Sequence, residues 1–457
     1  PNPVPGSVGR LATSWSNDRM QPENWIDSGP ETWQWLVLVA LAISLATRFW
    51  LARRQQRHVN AHRGQVPEAF RGRIGLAAHG RAADYTRAKL RLGLIEATLS
   101  ALVFLGLTVG GGIQAIVEAW QPWAGDHPIA GQIAIFVTVL LVGSLIELPV
   151  DLWRQFVLER RFGFNRMTLA TFVADLARST LIAAVLGLPL LAIVIALMQA
   201  QPNWWGWVWL VWVGFSVLML LIFPTWIAPI FNRFSPLAAG DVRDRVESLV
   251  VRNGFRADGL FVMDGSRRSA HGNAYFTGLG RSKRIVFFDT LLDRLNPAEI
   301  EAVLAHELGH FRKGHVRRRL LMSLVSSFAG LALLGWLADQ AWFYEGLGVA
   351  APATVAEGPG LALLLFMFVM PLFLFVLRPI ASWLSRRDEF EADDFAAAQS
   401  SGADLASALI KLYEDNAATL TPDPVHSAFY DSHPPAAIRV ERLRRGSALS
   451  GSLGAAG

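Results

Sequence analysis

Residues 204–230 read Trp-Trp-Gly-Trp-Val-Trp-Leu-Val-Trp-Val-Gly-Phe-Ser-Val-Leu-Met-Leu-Leu-Ile-Phe-Pro-Thr-Trp-Ile-Ala-Pro-Ile, without one Asp, Glu, Lys or Arg. A helix of about 20 mostly apolar residues crosses the hydrocarbon core of a bilayer, so this run reads as a membrane span. Outward from it, six more runs qualify: Trp33–Trp50, Leu92–Ala119, Ile129–Val150, Leu181–Met198, Leu320–Trp342 and Leu361–Leu377. The whole composition agrees. Of 457 residues, 52% are hydrophobic and only 17% are charged, too little charge to cover a water-facing surface of this size. There is no cysteine, which excludes thiol catalysis, a disulfide scaffold and any Cys-ligated metal site. The clustered tryptophans at Trp204–Trp212 read as an interfacial aromatic belt.

The fold expected is therefore mainly α, a polytopic membrane protein with seven transmembrane helices. The first run is not read as a cleaved signal, because some thirty mostly polar residues precede it and no small-residue cleavage site follows. Between runs one and two lie ten basic residues, among them Arg63, Arg81, Arg87 and Arg91, opposed only by Glu68 and Asp84. The segments after runs two, four and six have no Lys or Arg. Basic loops stay on the cytoplasmic side, so residues 1–32 form an extracytoplasmic tail and the two large polar regions face the cytoplasm. The division is then 33–230 for five spans, 231–319 for a cytoplasmic insert, 320–377 for two more spans, 378–445 for a second cytoplasmic segment, and 446–457 for a disordered tail. The net charge of +5 reads as this orienting loop charge and not as a nucleic-acid surface. Arg far outnumbers Lys (only Lys89, Lys283, Lys313 and Lys411), which points to a GC-rich bacterial source and hence a bacterial inner membrane.

The insert contains His306-Glu307-Leu308-Gly309-His310, the His-Glu-x-x-His pattern of zinc peptidases. Asn296 as N-cap, Pro297 at the first helical position and Glu299 three residues after the cap predict that it lies on a helix. His306 and His310 then share a face and can reach one metal, while Glu307 lies beside it, placed to take a proton from a bound water. A catalytic zinc needs a third protein ligand. A fixed Gly-x-x-His spacing fails, because Gly314 and His315 are adjacent, so His315 reads as a supporting or surface group. A carboxylate from a later helix is the other arrangement. After run seven, Arg386-Arg387-Asp388-Glu389-Phe390-Glu391-Ala392-Asp393 puts Glu389 and Asp393 four apart on one face. Glu389 can ligate while Asp393 accepts the far N–H of a ligand histidine.

Together these residues resemble the CAAX prenyl endopeptidases, seven-span membrane zinc metalloproteases, and the resemblance covers nearly the whole chain. It includes Arg57-His58, His62-Arg63, Val66-Pro67 and Ala83-Asp84-Tyr85, then Glu159–Asn165 (Glu-Arg-Arg-Phe-Gly-Phe-Asn) and His271–Phe276 (His-Gly-Asn-Ala-Tyr-Phe). It implies one Zn²⁺ held by His306, His310 and Glu389, with Asp393 behind them. It also implies an edge strand through Asn273, Ala274 and Tyr275 that binds extended substrate, and an oxyanion stabilised by His433 and Arg439. Independently, Asn273–Gly278 and Arg284–Asp289 read as two strands joined by a tight turn, and an exposed strand edge is a sound way to hold a peptide extended.

The function expected is a zinc metalloendopeptidase acting on a peptide or protein substrate at the bilayer, cutting near the C-terminus of CAAX-type prenylated chains or of other membrane-associated polypeptides. A bacterium would use it for membrane-protein quality control. A metal-ion transporter is the alternative from another class, though none of the ten histidines lies clearly within a span. An inactive scaffold of the same fold would be expected to have lost Glu307 or a ligand. The acids Glu96, Glu147 and Asp151 fall within or at the ends of spans. They read either as lining a water-filled chamber or, for the last two, as interfacial partners of Arg154.

Overall fold

A computed structural model describes residues 29–254, 256–277, 282–352 and 358–454. Among them, seven helices are long and apolar enough to cross a membrane: Pro30–Ala61, Leu76–Leu107, Pro128–Glu159, Leu169–Ala200, Trp204–Phe231, His315–Leu337 and Pro359–Gln399. Their apolar faces stay largely uncovered. Only 6% of the most apolar window of Trp204–Phe231 is buried within the protein, which leaves Leu210, Leu221 and Trp226 for lipid.

Five of the expected runs lie inside these helices and two need correction. The run read as Leu92–Ala119 is broken, because its helix ends at Leu107 and a separate helix, Gly112–Ala124, follows. The break is a glycine turn. A Cβ at Gly110 or at Gly112 would meet the Gly106 carbonyl oxygen at 2.8 Å, and Gly111 has φ +77°. Continuous apolarity hid it, since both helices are apolar. The run read as Leu320–Trp342 ends at Leu337, and Trp342 belongs to a short helix, Ala341–Glu345, whose ring meets Trp33 edge-on at 5.4 Å. The aromatic cluster is divided. Trp209 Nε1 donates to Leu324 O and Ser327 Oγ inside the bundle, while Trp207 and Trp212 face outward. Of the acids, Glu96 and Asp151 both pair with Arg154, and Glu147 accepts from Ser100 Oγ at 3.2 Å.

The polar regions on either side of the last two spans fold as one body. A four-stranded sheet has the order β1-β2-β4-β3, with β1 Phe234–Pro236, β2 Arg256–Met263, β3 Ala274–Thr277 and β4 Ser282–Phe288. β2 and β4 are parallel, and β3 pairs antiparallel with β4 in the register Ala274↔Phe287 to Thr277↔Arg284. The hairpin is thus as expected, and β3 is an edge of the sheet. Residues 278–281 of its turn, like most of the 1–32 tail, lie outside the described residues. One hydrophobic core joins Phe70 and Ile74 of the first loop, Leu249, Phe287, Leu304 and Leu308 of the insert, and Leu405, Val440 and Leu443 of the second segment. The final helix, Ala436–Gly454, continues past Arg445, so the stretch from 446 expected to be disordered is helical through Gly454.

Candidate metal centre

The helix Pro297–Arg312 starts as its sequence requires. Asn296 Oδ1 accepts from Glu299 N and Glu299 Oε2 accepts from Asn296 N, each at 2.9 Å, so two otherwise unpaired N–H groups are satisfied reciprocally. Glu299 is itself buried, held by Lys411 Nζ at 2.7 Å and Ser407 Oγ at 2.8 Å, which ties the start of this helix to Gly402–Asp415. On the opposite side the helix packs against Arg378–Gln399. Contact is close at Gly309, where a Cβ would lie 3.0 Å from Ala392 Cα. That approach brings Glu389 and Asp393 against His306 and His310.

Three donor atoms converge there. His306 Nε2 and His310 Nε2 are 3.3 Å apart; Glu389 Oε2 lies 3.4 Å from His306 Nε2 and Glu389 Oε1 lies 3.4 Å from His310 Nε2. Among the described residues this is the one His/Asp/Glu group whose ligand atoms can meet a single ion. Metal–nitrogen and metal–oxygen bonds to zinc are about 2.0–2.1 Å long, and a tetrahedron with such bonds has edges of roughly 3.3–3.4 Å. The donor set and its spacing therefore fit zinc. Electrostatics point the same way. Burial works against a charge on His306, yet Asp393 and Glu389 outweigh it and raise its pKa to about 9, so the pocket favours a cation. Glu389 Oε2 is buried without a well-directed hydrogen bond, although His433 Nδ1 lies 2.8 Å away.

Each histidine is held from behind. Asp393 Oδ1 is 2.9 Å from His306 Nδ1, which leaves Nε2 free to face the centre. Arg439, itself buried, grips Asp393 with a two-point fork, Nε to Oδ2 at 2.8 Å and Nη2 to Oδ1 at 2.6 Å. Its Nη1 is 3.4 Å from Glu389 Oε2. Behind His310 stands a pair that sequence reasoning did not assemble. His310 Nδ1 is 2.9 Å from His315 Nδ1, and His315 Nε2 is 3.1 Å from Glu391 Oε2. With Glu391 accepting from His315 Nε2–H, His315 Nδ1 accepts from His310 Nδ1–H, and His310 Nε2 is left bare. His315 is thus a supporting group. Glu391, two residues after Glu389, had no assigned part, and its spacing gives no direct sign of one. Asp388 is buried between Arg318 and Arg319, joining the foot of His315–Leu337 to the helix that carries Glu389.

Glu307 is half-buried and makes no ion pair among the described residues. His433 is largely exposed at the mouth of the site, with its ring on Glu389. β3 packs beside the His-Glu-x-x-His helix as the outer strand of the sheet, with Ala274 and Tyr275 in it and Asn273 just before it, where Asn273 O accepts from Phe288 N at 3.0 Å. The approach to β3 is braced from the membrane side. Ala270 N donates to Phe164 O, Phe164 stacks on His271 with centroids 4.4 Å apart, and His271 Nδ1 meets Asn416 Oδ1 at 2.9 Å. The Glu159–Asn165 stretch therefore serves as a strut for this segment. A cavity of about 890 Å³ adjoins it, lined by Arg48, Gln55, Tyr85, Lys89, His271 and Arg378. Glu96, Glu147 and Asp151 are not among its walls, so their charges belong to the Arg154 and Ser100 contacts.

Comparison with known proteins extends this picture to the whole chain. Residues 55–233 match the family described as "CAAX prenyl protease N-terminal, five membrane helices", and residues 236–447 match "Peptidase family M48". CAAX prenyl protease 1 of Saccharomyces cerevisiae is 35% identical over 314 residues, 66% of this chain and 69% of the yeast protein. The Dictyostelium discoideum homolog is 32% identical over 394 residues, 84% of this chain and 91% of its own length. The crystal structure of S. mikatae Ste24p superposes with a TM-score of 0.83 at 28% identity, covering 90% of this chain and 98% of that one. The transporter and inactive-scaffold alternatives lose their ground, and the relatives named are eukaryotic, so a bacterial source rests on composition alone. The chain is a multi-pass membrane metalloprotease and belongs to the CAAX prenyl protease 1 family of M48 peptidases.

Proposed function

We propose that His306, His310 and Glu389 hold one Zn²⁺ and that the chain hydrolyses peptide bonds near the C-terminus of CAAX-type prenylated substrates or of other membrane-associated polypeptides. The observation that carries this reading is the convergence of His306, His310 and Glu389, whose ligand atoms all lie within 4.8 Å of one another. When bound, zinc supplies Lewis acidity that polarises a carbonyl and lowers the pKa of a water. The chain's own residues do the rest. The edge of β3, at Asn273, Ala274 and Tyr275, pairs with the substrate backbone and holds it extended. Glu307 takes a proton from the attacking water and delivers it to the leaving amine. His433, at the mouth of the site, donates to the oxygen that gains charge, and Arg439 adds its Nη1 from the Glu389 side while its fork keeps Asp393 and His306 in place.

The basic loops between runs one and two and between runs three and four support a catalytic body on the cytoplasmic side. The Arg-rich composition supports a bacterial inner membrane, where quality control of membrane polypeptides would be the task. Purified protein and its Glu307→Gln form should be compared on a farnesylated CAAX peptide and on its unprenylated counterpart. The variant is expected to retain zinc by elemental analysis while losing at least about a hundredfold in turnover, the scale of general-base catalysis. Full activity in that variant would remove Glu307 from the mechanism. Equal cleavage of the two peptides would remove prenyl recognition while leaving the peptidase.

A further inference from the structure

Two basic stretches of the sequence take no part in the chemistry proposed above, Arg63–Arg91 and the Arg160-Arg161 turn, and the structure brings them to one place. They line an open concavity of about 1350 Å³ whose walls carry Arg63, Arg81, Arg87, Arg91, Arg160 and Arg161 against one acid, Asp84. Asp84 is occupied by Arg63, with Nε at 3.2 Å and Nη2 at 2.7 Å, and lies 3.5 Å from Arg87. Arg81 donates to Phe162 O at 2.8 Å. Arg91, Arg160 and Arg161 have no ion pair among the described residues, and Arg87 Nε is buried without an acceptor. Arg91 directly precedes the apolar run that begins at Leu92, and Arg160 directly follows the span Pro128–Glu159. The guanidinium groups therefore stand where two spans leave the hydrocarbon.

We propose that this cavity is a binding site for the phosphate headgroup of an anionic phospholipid. Orientation in the membrane needs basic residues only near the ends of spans. It does not need guanidiniums from a loop, a helix and a turn converging on one concave surface. Arginine, the sole cation here, binds phosphate oxygens in two-point fashion, which a lysine cannot do. A basic pocket between membrane helices at the surface is the arrangement that captures acidic lipid headgroups. Free phosphate offers the same oxygens, but it would fill a small part of this volume and would gain nothing from a site at the bilayer surface.

The test uses the full chain in zwitterionic detergent, with phosphatidylglycerol, phosphatidylcholine or inorganic phosphate added, and counts retained lipids by native mass spectrometry. Phosphatidylglycerol should be retained in preference to phosphatidylcholine, and retention should weaken as salt is raised. Arg91→Gln with Arg160→Gln should lower phosphatidylglycerol affinity by about tenfold or more, at roughly 1 kcal/mol per basic residue near a surface. Arg160→Lys should recover only part of it. Equal retention of the two lipids by the unmutated protein, a result that needs no variant to fold, would overturn the proposal. So would unchanged affinity in a folded double variant, or displacement of the lipid by millimolar inorganic phosphate, which would make the site one for soluble phosphate.

Discussion

At position 309 a glycine sits inside a helix, where alanine would be more favourable by about 1 kcal/mol. The reason lies across the interface. A Cβ there would stand 3.0 Å from Ala392 Cα and 3.2 Å from Ala392 O, so the two helices would have to separate by a few tenths of an ångström. That shift would act directly on donor atoms now 3.3–3.4 Å apart. Gly309→Ala is therefore expected to weaken zinc binding even though its helix propensity improves, and competition with a chromophoric chelator measures it. Unchanged affinity would show that the helix contact does not set the ligand spacing. His315 makes a second prediction at this scale. It fixes the tautomer of His310 through the 2.9 Å contact and is itself oriented by Glu391. His315→Ala should cost about 10–100-fold in zinc affinity, the usual scale for a partner behind a metal ligand. His315→Asn, whose side chain retains a hydrogen-bond acceptor, should recover part of the loss. Equal affinities for Ala, Asn and the parent would reduce His315 to packing.

The start and the working face of the helix Pro297–Arg312 were legible because their signals are local. Asn296, Pro297 and Glu299 announce the start, and the two histidines declare a face. The role of Glu299 beyond the cap was not legible, since Lys411 and Ser407 arrive from more than a hundred residues away. The same limit explains the two misjudged spans. An apolar run shows that a segment can enter a membrane, but a turn of small residues at Gly110–Gly112 leaves hydropathy unchanged. The buried carboxylate of Glu299 gives this element a pH signature. Burial alone would raise its pKa, but Lys411, Asn296 and Ser407 overcome that and hold it below the ordinary glutamate value. A carboxyl with a lowered folded-state pKa contributes stability that is full above its unfolded value and is lost as pH falls through the folded one. The protein should accordingly lose thermal stability below about pH 4.5, and Glu299→Gln should be less stable at neutral pH with a shallower acid decline. An identical slope in that variant, followed by the thermal midpoint across pH 3–7, would place the acid sensitivity elsewhere.

Across the whole molecule, the proposed metal ligands come from opposite sides of a membrane hairpin. His306 and His310 precede the span His315–Leu337, and Glu389 lies on the extension of the span that starts at Pro359. The site exists only because two spans fold back and return the chain to its starting side. Hydropathy made that return legible, and the acid-to-base contacts that align it were not, because Arg318, Arg319 and Asp388 pair only after the fold is made. A bound metal would then act as a clip between the insert and the segment 378–445, and a ligand that binds only the folded state stabilises it by about 4 kcal/mol at a thousand times its dissociation constant. Chelation should lower the thermal midpoint reversibly. Its effect on amide exchange should also be uneven. Protection is expected to fall in Pro297–Arg312, Arg378–Gln399 and the start of Ala436–Gly454, which share the site and its supports, and to stay unchanged in Pro128–Glu159 and Leu169–Ala200, which touch neither. Zinc should restore the lost protection. Uniform loosening of all helices would make the metal a global fold determinant, and no loosening would mean that the shared core and ion pairs such as Arg439–Asp393 and Glu299–Lys411 hold the two halves together without it.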